Sequence, residues 1–177
     1  MVFQVDGARR SNGYDNADGA AACVLLRRNR QPYLLWGRRL PNYPKPTNQR
    51  AELTAIVLAL RNALLRDEEL GIQTTLDITI ESDSKYAIGC MTTWIHKWVQ
   101  NGWINASGRE VANQDLLEEA VDLEQRILDQ NGEVEYKWIP RSQNVEADRK
   151  STCIDGYIVY QLLYPSKRYS RKPVTMA

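Results

Sequence analysis

Between Val2 and Arg39 three strand-like runs follow one another with links too short to hold a helix. The runs Val2 to Ala8, Gly19 to Arg28 and Gln31 to Arg39 are rich in Val, Leu, Tyr and Ala. Turn-prone Asn12-Gly13-Tyr14-Asp15-Asn16 and Asn29-Arg30 separate them. Such links predict an antiparallel meander. The proline-bearing loop Leu40 to Thr47 follows, then Asn48 to Arg66 with Leu53, Ile56, Val57, Leu60 and Leu64 at helical spacing. Thr75 to Ser82 alternates, with Leu76, Ile78 and Ile80 on one face and Asp77, Thr79 and Glu81 on the other. A strand reached across a helix is expected parallel to its predecessor. Asp83 to about Gln100 and Asn113 to Asp129 read as helices, Glu133 to Ile139 as a fifth strand, and a short helix starts near Asn144. The expected fold class is α/β: a five-stranded mixed sheet, three strands antiparallel and the later ones added in parallel, flanked by helices. Residues 1–155 are expected to form one domain. In the extension 156–177, Tyr157 to Tyr164 is apolar enough to pack on it, and Pro165 to Ala177 is expected to be a basic, mobile tail.

Several classes are excluded early. The longest uninterrupted apolar run, Ala20 to Leu26, is far short of the roughly 20 residues a membrane span needs, so no membrane partner is expected. Residues 1–10 contain Gln4, Asp6, Arg9 and Arg10 and no apolar stretch, so no signal peptide is expected. Cys23, Cys90 and Cys153 are far apart and odd in number, which fits neither a disulfide framework nor a cysteine-rich zinc site. A reducing, intracellular location is the natural expectation. With one histidine, His96, a histidine-rich metal site is excluded. The net charge of +1 hides a pattern: residues 1–50 carry nine basic and three acidic groups, 51–148 eight and eighteen, 149–177 six and one. Basic ends around an acidic middle suit cations held centrally and polyanions around them, and equally suit helices with Glu-rich solvated faces.

Four acids fall at comparable places in four elements. Asp6 and Asp83 each end a strand. Taking about 100° per residue, Glu52 lies at the edge of its helix's apolar arc, beside Ala59 and Ala63. Asp148 sits at the start of the last helix. If the first and fourth strands are neighbours, all four meet at one end of the sheet. Clustered carboxylates repel, and cations relieve them; an oxygen-only set suits Mg²⁺ or Mn²⁺. Each acid also has an ordinary reading, as a turn residue or a helix-start acid.

The ordered blocks Val5-Asp6-Gly7, Thr47-Asn48-Gln49-Arg50-Ala51-Glu52-Leu53, Glu81-Ser82-Asp83-Ser84-Lys85-Tyr86 and Asn144-Val145-Glu146-Ala147-Asp148 resemble those of type 1 ribonuclease H. Trp94-Ile95-His96-Lys97-Trp98-Val99-Gln100-Asn101-Gly102-Trp103 resembles that family's substrate-handling protrusion. The resemblance covers roughly residues 2–152 and implies a ribonuclease H-like fold. It further implies endonucleolytic hydrolysis of the RNA strand of RNA–DNA hybrids, with two Mg²⁺ ions (Mn²⁺ as a substitute) held by Asp6, Glu52, Asp83 and Asp148. By the same resemblance, Lys45, Thr47 and Asn113 match a pocket for a DNA-strand phosphate. Trp94 and Trp98 match a DNA channel, and Asn12, Asn48 and Gln49 match groups that read the hybrid minor groove, where RNA 2′-hydroxyls are exposed.

Three departures from the family pattern stand out. Between the last strand and last helix, Ile139-Pro140-Arg141-Ser142-Gln143-Asn144 is short and lacks the histidine that many relatives carry. Val99-Gln100-Asn101 stands where many are strongly basic. The first strand begins almost at Met1, which fits a catalytic domain from a longer polypeptide. The expected partner is an RNA–DNA hybrid and the expected state a monomer. The alternative reading is a catalytically weak or silent nucleic-acid-binding domain of the same fold in a larger assembly; four mutually repelling acids argue against it.

Overall fold

A computed structural model describes residues 1–9, 19–71 and 75–151, and the backbone of 158–161. Val2–Arg9 (β1), Gly19–Leu26 (β2) and Pro32–Arg39 (β3) form the expected meander, β1 pairing β2 and β2 pairing β3, both antiparallel. Asn48–Leu70 (α1) crosses the sheet and delivers Asp77–Ser82 (β4) parallel to β1, with Val5 opposite Ser82. Glu133–Trp138 (β5) adds in parallel outside β4. The five expected strands are therefore present in the expected sense. Ile158–Gln161 (β6) adds a sixth, antiparallel to β3, giving the order β5-β4-β1-β2-β3-β6.

Helix α1 is the centre of the fold. Thr47 caps it, its Oγ1 accepting from the Arg50 amide at 3.0 Å, and Gly71 ends it in the left-handed region at φ 57°. The helix packs on β1 and β2 and, on another side, against Gln114–Leu128 (α4). That explains why Ala51, Leu53, Ala55, Ile56, Ala59, Leu60 and Ala63 are all buried: a helix contacted on several sides is apolar around most of its girth. Leu76, Ile78 and Ile80 join this core from β4.

The other face of the sheet is covered by Val145–Ser151 (α5), whose Ala147 packs with Val24, Leu26 and Leu35. Glu81 is only 6% exposed; the Arg30 guanidinium grips both its oxygens at 2.8 and 2.6 Å, and Gln4 Nε2 donates at 3.2 Å. Burial pushes its carboxyl up, but these hydrogen bonds hold it below the usual range.

The stretch expected as one helix from Asp83 to Gln100 is broken into Lys85–Gly89 (α2), a wide π turn at Cys90–Trp94, and Ile95–Gln100 (α3). A π turn changes the angular position of the residues after it, and here it turns Trp94 back over Gly89, where an added Cβ would meet the indole at 3.1 Å. Asn12 and its turn, and the tail 162–177, lie outside the described residues.

Candidate active site

Parallel pairing of β1 with β4 sets Val5 opposite Ser82, so Asp6 and Asp83, the next residues, are neighbours. Asp83 follows the end of β4, whereas β1 runs on to Arg9, so Asp6 lies within its strand and not at its end as expected. Glu52 reaches the same place because α1 touches β1 without a gap. A Cβ on Gly7 would lie 2.1 Å from the Ala51 carbonyl carbon and 2.2 Å from the Glu52 nitrogen, so only glycine fits there. The Gly7 amide in turn donates to the Glu52 carboxylate. Asp148 arrives on α5, whose first turn is tied to the strands by Asn144. That residue is fully buried, and its Nδ2 donates to the Val5 carbonyl and to Asp83 Oδ1, both at 2.8 Å. Ser151, one turn on, donates to Asp6 Oδ2 at 2.5 Å. Trp138 Nε1 holds the Asp83 carbonyl at 3.0 Å.

Asp6 and Glu52 feel burial and their acidic neighbours. Burial pushes the Asp6 carboxyl up to about 6; Asp83 and Asp148 push the same way, against the Ser151 hydrogen bond and Arg141. Burial pushes Glu52 further, to about 9, with Asp6 and Asp83 adding repulsion. Glu52 Oε2 is buried with no hydrogen-bond partner, which is costly unless something positive is brought to it. The donor set is all oxygen, with one buried orphan lone pair, and it fits a hard divalent cation. Among the described residues no three acids converge tightly enough to cage an ion by themselves. Asp148 is instead paired with Arg141.

A second group assembles nearby. Arg50, 8% exposed, forks onto Asp115 and donates to Asn113 Oδ1 at 3.3 Å, tying the start of α1 to the start of α4. It thereby brings Thr47 and Asn113 together, and Asn113 also hydrogen-bonds Tyr86. Lys45, exposed, lies two residues before Thr47, and Asn48 and Gln49 are exposed on the first turn of α1, one turn ahead of Glu52. Tyr86, Trp94 and Trp98 form a ladder with ring centroids 6.1 and 5.8 Å apart. Trp94 is exposed, whereas Trp98 and Trp103 pack against the core. His96 is exposed on α3, beside Glu124.

Sequence reasoning did not single out Asn144, Ser151, Arg50 or Arg141 as site residues. Ser151 and Arg50 carry no local signal; Asn144 could have been suspected as the residue one turn before Asp148.

The sequence profile of the RNase H family matches residues 1–151. The chain belongs to the ribonuclease H family. It is 36% identical over 140 residues to a ribonuclease H of Schizosaccharomyces pombe, covering 77% of this chain and 45% of that one. It is 33% identical over 148 residues to a ribonuclease H of Erythrobacter litoralis, covering 81% and 88%. This ribonuclease H domain thus spans under half of the yeast relative, 60% of one from Anaeromyxobacter dehalogenans, and most of the Erythrobacter protein. Among solved structures the fold is shared with LC9-RNase H1, described as a type 1 RNase H with the type 2 active-site motif. There the TM-score is 0.63 at 24% identity, covering 85% of this chain and 70% of that one. LC11-RNase H1 in complex with RNA/DNA hybrid has a TM-score of 0.61 at 16% identity, covering 84% and 91%. No helix among the described residues is long and apolar enough to cross a membrane.

Proposed function

We propose that the chain is a divalent-cation-dependent endonuclease that hydrolyses the RNA strand of RNA–DNA hybrids. The observation that carries this reading is the meeting of Asp6, Glu52, Asp83 and Asp148 at one end of the sheet, with Glu52 Oε2 buried and unpartnered. A purely structural domain gains nothing from neighbouring acids that raise the protonation of Asp6 and Glu52. These four residues would hold the cations, two in number as the family resemblance implies and Mg²⁺ by preference. When bound, such ions supply water activation and charge stabilisation at the leaving oxygen. The chain's own groups do the rest. Ser151 and Asn144 fix Asp6 and Asp83 by donated hydrogen bonds. Lys45, Thr47 and Asn113 suit a phosphate of the DNA strand, and Trp94 and Trp98 offer aromatic surface to it. Asn48 and Gln49, one turn from Glu52, suit minor-groove 2′-hydroxyls through amides that both donate and accept. Asn12 is proposed for the same groove from the resemblance alone.

The test is gel analysis of a hybrid with 5′-labelled RNA, with and without Mg²⁺, beside RNA duplex and DNA duplex. Hybrid RNA should be cut internally only with Mg²⁺, and Asp83→Asn should lose about 10³-fold or more, since it removes charge central to phosphodiester activation. Equal cutting of all three duplexes, or near-wild-type cleavage by Asp83→Asn, would sink the reading. Hybrid binding without any cleavage would favour the silent-domain alternative.

A further inference from the structure

Three of the four acids are held by groups that cannot leave without disturbing the fold. Asp6 is held by Ser151, Asp83 by the buried Asn144, and Glu52 by the Gly7 amide. Asp148 differs: its side-chain partner is a guanidinium, Arg141, on the short 3-10 turn Arg141–Gln143 just before α5. The base of that turn is fixed, because Asn144 is fully buried and Gln4 Nε2 donates to the Gln143 carbonyl at 3.0 Å. The arm is not: the Arg141 side chain is 71% exposed, against 31% for Asp148.

We infer that Arg141 is a built-in counter-cation for the acid cluster, and that a divalent cation approaching Asp148 must displace it. The inference rests on the cation-dependent reading proposed above. Three physical points support it. The guanidinium stays charged at any relevant pH, so it neutralises Asp148 whenever no stronger cation does. It also acts through space on Asp6 and Glu52, opposing their mutual repulsion. And its direct contact goes to Asp148, the outermost of the four, while Glu52 Oε2 keeps no hydrogen-bond partner even with Arg141 in place. A compact doubly charged ion satisfies inner and outer acids together; a single, planar guanidinium on an exposed arm does not. Exposed ion pairs are weak enough to be exchanged, so Arg141 sets the cation concentration the site requires.

The experiment titrates Mg²⁺ alone, without nucleic acid, into wild type, Arg141→Gln, Arg141→Lys and Arg141→Glu. Saturation is followed by calorimetry and by the rise of Tm, which tracks ligand binding to the folded state. Arg141→Gln should bind Mg²⁺ about two- to five-fold tighter, the range an exposed ion pair can supply. Its Tm without divalent ions should fall, because the acids lose their counter-charge. Arg141→Lys should stay close to wild type, and Arg141→Glu should bind tighter still. The Mg²⁺ concentration giving half-maximal hybrid cleavage should shift in parallel. A wild-type response with an unmoved or weakened Arg141→Gln midpoint would overturn this inference alone. A wild-type protein whose Tm and heats ignore Mg²⁺ would overturn it together with the cation-dependent reading.

Discussion

Glu52 shows at single-residue scale what the site demands of the fold. Its carboxyl is pushed from 4.5 to about 9 by burial first and by Asp6 and Asp83 second. The folded protein therefore holds this proton more tightly than the unfolded chain does. That contribution to stability is fully present below about pH 4.5 and is lost as pH rises toward 9. Asp6, pushed up to about 6, adds a smaller loss of the same sign at the lower end of the window. Without divalent ions, Tm should fall more steeply between these limits in wild type than in Glu52→Gln, which cannot charge. Parallel Tm–pH curves for the two proteins would show that Glu52 is not strained by its neighbours. Added Mg²⁺ should flatten the wild-type curve if the acids hold the ion.

Among the elements, the seam between β1 and α1 matters most. It has no slack, because the backbone of Ala51 and Glu52 lies where a side chain on Gly7 would start. Gly7→Ala must push strand and helix apart. The cost should reach about 1–3 kcal/mol, as for overpacking elsewhere, and Glu52 should move with the helix. A denaturant midpoint equal to wild type would show that the seam can relax. The seam at α5 works differently: the buried Asn144 amide spans β1 and the residue after β4, and Ser151 ties the helix to Asp6, so polar side chains at both ends place the helix carrying Asp148. The π turn at Cys90–Trp94 does a third job, turning Trp94 outward into the aromatic ladder while Trp98 stays against the core.

For the whole molecule, charge is distributed by function. The acids gather beside the end of β4, next to the middle of β1, whereas Lys45 lies on the exposed approach to α1, where Arg50 links Thr47 to Asn113. A polyanion can lie across both regions only if cations screen the first and basic or polar groups receive its phosphates at the second. Hybrid affinity should accordingly fall with salt through counterion release. Lys45→Ala should reduce the slope of log K against log salt by about one unit and leave Mg²⁺ binding unchanged. Fluorescence anisotropy of a labelled hybrid across a salt series decides this: an unchanged slope would mean that Lys45 touches no phosphate.

What the sequence determined by itself was whatever is local in the chain. Short links made the meander, apolar spacing made α1, and strand-end and helix-start positions marked Asp6, Glu52, Asp83 and Asp148, because periodicity and turn chemistry act over a few residues. Tertiary structure decided the rest. Glu81 falls on the polar side of its strand's alternation, yet it is buried there with Gln4 and Arg30 gripping its carboxylate. Asn144 reaches Val5 across 139 residues, and Ser151 reaches Asp6 across 145. The π turn at Cys90–Trp94 goes with the close approach of Trp94 to Gly89, which apolar spacing does not reveal, and β6 depends on β3 offering a free edge. The Arg141–Asp148 pair spans only seven residues. It still could not be read from spacing, because what gives it meaning is the charge that three other elements bring to the same point.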